Sequence, residues 1–569
     1  MDEVNGSRSL QTGERQIPLN EYPRPQFMRP DWLNLNGLWA YDVSPIDQMP
    51  EKLEGEILVP FSPEAPLSGA PKKPGLGETA WYARSFTLPE GFFKDRLLLH
   101  FGAVDQVCRV FVNGRLAGEH EGGYTPFTLD ITEYTVPDGE NLLRVSVEDR
   151  TELGAGIYGK QSTTPGGIWY TAQSGIWQTV WLESVPERYI PGITITPDPE
   201  HDQVLLEIPD GSGTDYAVFA AGKRICTGSF GEDGKTLIKL PDCIRWTPEN
   251  PFLYDILLKR GEDLVKSYFA MRSIRREGNK LLLNGEPIRL IGLLDQGYWP
   301  EGLYTAPSDE AMAFDIETAK DLGYNLLRKH VKVEPMRWYY HCDRLGMLVW
   351  QDIPNGGDSY SIFWTRNLPV ALGVQLKDKP YNRYGRKYER GRVRFREELG
   401  EIVQTLYNAP CIIAWTLFNE GWGQFDTRKL TDELHTMDPT RPVDSASGWH
   451  DQGCGDFCSR HIYFKKLKLR FDSRIPAITE CGGYGLKLEN ARGAYSYKKA
   501  KSSEELDKLL DELYRKELLP LKSSGLCCCI YTQLTDVEQE CNGLLTADRN
   551  RLKVDAEHLR ELNAAWLAD

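Results

Sequence analysis

CIIAWTLFNEGWGQ, residues 411–424, decides the fold. Seven of its first eight residues, Cys411 to Phe418, are apolar, with Thr416 the exception. The segment therefore reads as a strand buried on both faces, which a parallel sheet covered by helices requires. Asn419 and Glu420 arrive where the apolar run stops, and Gly421 and Gly423 flank Trp422 in an aromatic-bearing turn. In a barrel of alternating strands and helices the carboxyl ends of the strands open onto the site, so a carboxylate there points at a ligand. A carboxylate capping the next helix is the alternative. Glu420 is expected to be catalytic.

A second carboxylate ends a second apolar run. In RIPAITECGGYG (474–485), apolar residues up to Ile478 lead into Thr479-Glu480 and then glycines. The two glutamates are 60 residues apart, room for two strand-helix steps. Projecting from one rim, they can face each other across a sugar. Carboxyl groups about 5 to 5.5 Å apart favour retention, one attacking the anomeric carbon while the other protonates the departing oxygen; about 6.5 to 9.5 Å favours inversion through a water. The acid must stay protonated near neutrality, which an ionised neighbour and the apolar Trp415, Phe418 and Trp422 can achieve.

Working outward, the strand, loop, helix rhythm begins near residue 274. Ser308 caps a helix whose Met312, Ile316 and Ala319 share a face, and the chain returns as a strand at Asn325 to Arg328. Pro335 starts and Gly346 ends the next helix, and MLVWQD (347–352) follows. Phe395, Leu399, Ile402, Val403 and Leu406 form another apolar stripe; Ser502 to Glu505 is a capping box ahead of a Leu-rich helix, and LCCCIYTQ follows it. This predicts a (β/α)8 barrel over 274–569. Residues 355–392 break the rhythm, and a segment that long, rich in Tyr, Arg and Lys, should lie over the barrel mouth. Its basic end is either a solvated face or a contact for an anionic ligand or neighbouring subunit.

Upstream, residues 1–185 read as short, mostly alternating strands such as TAWYARSFTL (79–88) and NLLRVSVED (141–149), with Asn113-Gly114 as a hairpin turn. This predicts a jelly-roll β-sandwich, and the smaller-scale repetition in 186–273 predicts a second, immunoglobulin-like sandwich. The multidomain division suits a chain of 569 residues. A net charge of −15 argues against nucleic-acid or anionic-membrane partners. Fifteen Trp and 27 Tyr suit sugar stacking and sandwich cores alike. With no apolar run at the N-terminus and no stretch of about 18 apolar residues, the expected location is cytoplasmic. The twelve Cys, including the adjacent Cys527, Cys528 and Cys529, fit a reducing compartment. Cys454, Cys458 and His461 lack a second paired cluster, so neither a metal nor another cofactor is expected.

GGIWYTAQSGIWQTVWLE (166–183), ENPFLYDILL, NLLRKH, WTLFNEGWG and PAITECGGYG, in that order, resemble the pattern of the family 2 glycoside hydrolases, the group of β-galactosidases, β-glucuronidases and β-mannosidases. The resemblance covers nearly the whole chain. It implies that Glu420 is the general acid/base, that Glu480 is the nucleophile, and that Asn419 bonds the sugar 2-hydroxyl. Arg328 should hold the nucleophile ionised, with a structural ion pair as the alternative. Asp295 ends the first barrel strand, where this family often reads sugar hydroxyls, and Trp299 follows it at the mouth. His330 sits at an offset from Arg328 that differs from the glucuronidase pattern. Trp449, His461 and Tyr463 resemble ligand-side positions, and Tyr531 resembles the position of a sugar-stacking aromatic.

Glucuronidases of this family read the sugar carboxylate with an Asn-x-Lys motif shortly before Gly-x-x-Thr-x-Asp-Arg. Here GLLTADR (543–549) is preceded by Glu540-Cys541-Asn542: the lysine is missing and an acid stands where the Asn would be. A uronic acid would be repelled by Glu540 facing the site, unless the basic run 383–394 supplies a cation. The expectation is a retaining exo-β-glycosidase acting on a neutral terminal sugar of a small glycoside or oligosaccharide, galactose first. β-Glucuronides, galacturonides and arabinosides remain alternatives. From other classes come a non-catalytic carbohydrate-binding protein on a dead barrel and a Cys/His redox or metal protein. Family members often assemble, so a homo-oligomer is an expectation of the resemblance.

Overall fold

The computed structural model describes residues 17–46, 48–154, 156–463, 465–467, 472–487 and 495–568. The first sixteen residues, part of the N-terminal stretch read above for a leader, lie outside them.

The first unit is an antiparallel sandwich. A six-stranded sheet, in the spatial order Gly55–Val59, Gly37–Pro45, Glu78–Phe86, Asn141–Glu148, Val107–Val112 and Arg115–Glu121, packs on a four-stranded one that includes Arg96–Phe101 and Val180–Val185. Alternating residues such as Tyr82, Leu99, Val110, Val145 and Leu182 fill the space between them. Asn113 and Gly114 turn the Val107–Val112 hairpin with φ of 50° and 80°, the conformation that favours Asn-Gly. The second sandwich, of three and four strands, has its own core around Val204, Val218, Ile256 and Val265. Arg29 ties the two together, donating to Glu183 of the first at 2.6 Å and Asp263 of the second at 2.9 Å, all three buried.

The third unit is a parallel barrel. Its strands, in chain order, are β1 (Leu290–Asp295), β2 (Leu326–Lys329), β3 (Leu348–Asp352), β4 (Ile412–Thr416), β5 (Val443–Asp444), β6 (Phe457–Ile462), β7 (Ile475–Gly482) and β8 (Cys528–Thr532). They neighbour one another in sequence except that β8 closes onto β1 and β7, which leaves β5 and β6 as the unladdered edges. Bonds across that gap include Asp456 N–H to the Val443 carbonyl at 2.7 Å, Val443 N–H to an Asp456 carboxylate oxygen at 2.8 Å, and Ser459 Oγ to Asp444 Oδ1 at 2.8 Å.

The flanking helices are α1 (Asp309–Asp321), α2 (Met336–Leu345), α3 (Glu389–Leu406), α4 (Thr427–Met437), α5 (Ser503–Leu513) and α6 (Ala556–Leu567). Ser308 caps α1 by accepting from Ala311 N–H, and Gly346 ends α2 with φ 73°. The capping box before α5 is shifted by one residue: Ser502 accepts from Glu505 N–H, but the Glu505 carboxylate reaches back to Lys501 N–H at 2.8 Å.

Residues 355–392 are not structureless. They contain a π-helical turn, Phe363–Asn367, a short helix, Leu368–Leu372, and a 3-10 turn, Tyr381–Tyr384. The basic run 383–394 faces the protein more than solvent. Arg386 is buried and donates to the Gly423 and Asn355 carbonyls, Arg390 pairs with Glu121 at 3.2 Å, and Arg394 pairs with Glu398 at 3.2 Å. The segment and the start of α3 thereby clamp the mouth of the barrel to the jelly roll.

Candidate active site

Glu420 does not extend its strand. β4 stops at Thr416, and Glu420 sits four residues on in a turn with φ 52°, a left-handed conformation that a β-carbon makes costly outside tight turns. Its N–H is held by the Ser447 carbonyl at 2.9 Å. Glu480, by contrast, lies inside β7, where the register with β6 and β8 shifts. The two side chains nevertheless converge. One carboxyl oxygen of Glu420, one of Glu480 and a ring nitrogen of His461 all lie within 4.8 Å of one another.

Their surroundings differ. Arg328, fully buried, donates Nη1 to Glu480 Oε1 at 3.1 Å and Nη2 to Asn419 Oδ1 at 2.8 Å, and Asp352 holds its other edge at 3.0 Å. Because the guanidinium can only donate, Asn419 must present its oxygen there, leaving its amide N–H groups for a ligand. Tyr463 donates its hydroxyl to Glu480 Oε2 and stacks on Tyr497, ring centroids 3.7 Å apart. Glu480 thus receives an arginine and a phenol.

Glu420 receives one imidazole. His461 Nδ1 is 2.8 Å from Glu420 Oε1, while its Nε2 faces Arg328 Nη1 at 3.3 Å. Nε2 also meets Ser447 Oγ at 3.0 Å; with the proton assigned to Nδ1, it accepts from Arg328 and Ser447 while Nδ1 donates to Glu420. Burial pushes His461 down to about 3, keeping it neutral. Burial pushes Glu420 up to about 7, against the opposing pull of Lys160, Arg328 and Arg366. Burial also raises Glu480, while His461, Arg328 and Tyr463 favour its ionised form and Glu420 repels it.

A cavity lies in front of the pair. Glu420, Glu480, Asn419, His330, Trp449 and Tyr463 all line it. His330 is buried; its Nδ1 meets Gln296 Oε1 at 2.9 Å, an oxygen because the Gln296 amide nitrogen donates to Gln533, so Nε2 is an unpartnered acceptor 3.7 Å from Glu480.

Other expected ligand residues are placed elsewhere. Asp295 ends β1 but is not on the cavity wall: its oxygens take Lys329 Nζ at 2.6 Å and Gly297 N–H at 2.9 Å. Tyr531 packs behind β7 over Gly482, its hydroxyl 3.2 Å from Tyr484 N, instead of offering a face to the cavity. Trp299 is covered by Arg549, 3.7 Å from the ring centroid. Arg328 and His461 act from behind the wall.

The jelly roll supplies wall residues that no barrel pattern announces. Lys160, Ile168 and Trp169 enter the cavity, as do Tyr360 and Arg366 from the 355–392 segment. Trp169 meets Trp422 edge to face, centroids 5.3 Å apart. Glu540, 1% exposed, faces the cavity and accepts from Tyr170 Oη at 2.5 Å and Asn542 Nδ2 at 2.9 Å. Lys160 follows a glycine at which a β-carbon would fall 2.6 Å from the Val331 carbonyl, a close approach that only glycine allows.

Glu420, His461 and Glu480 are also a geometric metal trio, but Arg328 at 3.1 Å from Glu480 opposes a cation there. A second group, Asp451, Cys458 and Asp472, is neutralised by Arg474, 2.6 Å from both carboxylates. Two further cavities, one between jelly roll and barrel beside Trp177 and Met336 and one beside Tyr407 and Arg441, carry no carboxylate pair.

Comparison with known proteins agrees with this layout. Residues 64–186 match the model for the glycosyl hydrolases family 2 sugar binding domain, and residues 274–476 match that for the family 2 TIM barrel domain. A β-galactosidase of Thermoanaerobacter pseudethanolicus is 27% identical over 393 residues, covering 64% of this chain and 48% of that protein. A putative β-glucuronidase of Formosa agariphila is 27% identical over 449 residues, covering 72% and 50%. The chain spans about half the length of these two relatives. Among solved structures, a β-galacturonidase of Eisenbergiella tayi bound to galacturonate superposes with TM-score 0.69 at 20% identity, covering 95% of this chain and 99% of that one. A Bifidobacterium dentium β-glucuronidase does so with TM-score 0.75 at 20% identity, covering 96% and 99%.

Proposed function

The chain belongs to glycoside hydrolase family 2, and from that premise we propose that it is a retaining exo-β-glycosidase of small glycosides or oligosaccharides, with Glu480 the nucleophile and Glu420 the acid/base. The observation that carries this reading is a pair of carboxyls, an oxygen of one within 4.8 Å of an oxygen of the other, in one cavity and with unequal donors. Arg328 and Tyr463 hold Glu480 as the anion that attacks the anomeric carbon. Glu420, near 7, keeps its proton until the leaving oxygen takes it, and as the conjugate base it then removes a proton from the incoming water. The unengaged amide N–H groups of Asn419 suit the 2-hydroxyl, a contact that strengthens as charge develops in the transition state. His330 Nε2 suits another hydroxyl of the same sugar.

For the sugar, a neutral hexose is the first reading, with galactose ahead of the others. Glu540 in the cavity wall accepts hydroxyls and repels a carboxylate, and the Thermoanaerobacter relative is named a β-galactosidase. A β-uronide is the second reading, favoured by the names of the Formosa relative and the Eisenbergiella structure and by the two cations on the wall.

The test is a panel of aryl β-glycosides, with galactoside, glucuronide, galacturonide and arabinoside side by side. Turnover with retained product configuration is expected, with Glu480→Gln inactive. Glu420→Ala should lose about 10²- to 10⁴-fold on a poor leaving group and be rescued by azide on a good one. An inverted product, or a Glu480→Gln variant that keeps most of its activity, would overturn the assignment.

A further inference from the structure

Two cations on the cavity wall, Lys160 and Arg366, stand outside the ion pairs of the described residues. Among the described residues, neither Lys160 nor Arg366 forms an ion pair; Lys160 lies 5.5 Å from the Tyr170 ring centroid, and Arg366 reaches only the Asn367 amide oxygen at 3.5 Å. The arginines farther along the same segment are engaged: Arg386 by carbonyls, Arg390 and Arg394 by carboxylates. A half-buried ammonium without a partner costs free energy, so a site that keeps one beside a second cation is built to receive negative charge.

Depth separates the charges. Glu540 is buried in the wall, Lys160 is half-buried, and Arg366 is exposed at the mouth beside Ile362, itself 53% exposed. An exo-acting site holds the terminal sugar at the closed end of the cavity, against Glu540 and the reactive pair, so the cation at the mouth meets the part of the substrate that leaves.

Resting on the catalytic assignment above, we propose that Lys160 and Arg366 bind an anionic group on the leaving side of the scissile bond. The preferred substrate is then a neutral terminal sugar carried by an acidic aglycone, such as a sugar bearing a carboxylate or a sulfate ester. The terminal sugar sits against Glu540 and the reactive pair, and the aglycone's anion sits at the mouth between the two cations. Specificity of this kind comes from two elements outside the strand ends, the 159–170 segment of the jelly roll and the π-helical turn of the 355–392 segment.

The experiment uses the full chain and the best neutral sugar from the panel, on an umbelliferyl leaving group bearing a carboxylate, its carboxamide isostere, or a sulfate ester. The carboxylate should exceed the amide in kcat/KM by about tenfold at low ionic strength, mainly through KM, and high salt should erase the difference. The sulfate arm separates the two anion sources. Arg366→Gln and Lys160→Met should each shrink the ratio, and Arg366→Glu should invert it, a gain that misfolding cannot produce. A wild-type ratio of one overturns the proposal. So does faster turnover of glucuronide or galacturonide than of every neutral glycoside, because the cations would then be reading the terminal sugar itself. No turnover of any glycoside is a different result, and it would sink Glu420 and Glu480 as the catalytic pair.

Discussion

The protonation of Glu420 is decided by groups on three separate segments. Burial raises it to about 7; Lys160 is the strongest opposing charge, ahead of Arg328 and Arg366, and Glu540 pushes the same way as burial. Activity requires the proton on Glu420 and its absence from Glu480, so kcat/KM should fall above a limb near pH 7, an apparent value that belongs to the pair. Lys160→Met removes a charge that favours the ionised form, so the limb should move to higher pH; Glu540→Gln should move it lower. A limb that stays put in both variants would show that Glu420 does not set it. Several of these residues are legible in the chain alone. Asn419, Glu420 and Glu480 end apolar runs and Arg328 ends the strand read at 325–328, whereas Tyr463 follows only from the family resemblance. Lys160, Trp169 and Arg366 are not legible, because they come from a sandwich and an insertion whose position over the mouth no local pattern encodes. Asp295 misleads for the opposite reason: its place at a strand end is as expected, but Lys329, its register partner at the end of the neighbouring strand β2, takes its carboxylate.

Among elements, the join between β5 and β6 is the barrel's exposed weakness. With no ladder between them, closure depends on Asp456, whose carboxylate takes Val443 N–H at 2.8 Å and His435 Nε2 at 2.9 Å. Asp456→Ala leaves the buried Val443 N–H unpaired and should cost about 1 to 3 kcal/mol, read from denaturant midpoints; an unchanged midpoint would mean the ring closes without it. The same join carries Ser447, whose carbonyl holds Glu420 N–H, so the variant should also lower kcat. The helices and central strands were readable because their caps and apolar stripes are local: Ser308, Gly346, the run before Pro410. β5 is two residues long and β6 begins after a Gly-rich turn, and neither has a periodicity long enough to announce a strand.

At the scale of the molecule, catalytic barrel and jelly roll are one site, and their contact is charged with carboxylates that prefer to be neutral. Glu398, on α3 against Gly122 of the jelly roll, is 2% exposed, and burial pushes it up to about 8; Arg394 opposes this but is shared with Glu397 and Glu401. Asp444 and Glu420 are pushed up to about 7, again by burial first. Between pH 6.5 and 8 the folded protein therefore holds protons that the unfolded chain has released, and stability falls as pH rises. His461 and His100, pushed down to about 3 and about 4, are neutral in the folded state but still partly protonated in the unfolded chain near pH 6.5, so they oppose this slope at the lower edge of the window and drop out towards pH 8. Above it, Lys332, pushed down to about 8 by burial, begins to act with the opposite sign. Each pH unit over which one carboxyl is protonated only in the folded state costs about 1.4 kcal/mol. Thermal midpoints should drop across the window, and Glu398→Gln, which cannot ionise, should lose part of that slope while gaining stability at pH 8. A midpoint that is flat or rising from 6.5 to 8 would mean that Arg394 already holds Glu398 ionised, and that this contact is an ion pair instead of a buried acid.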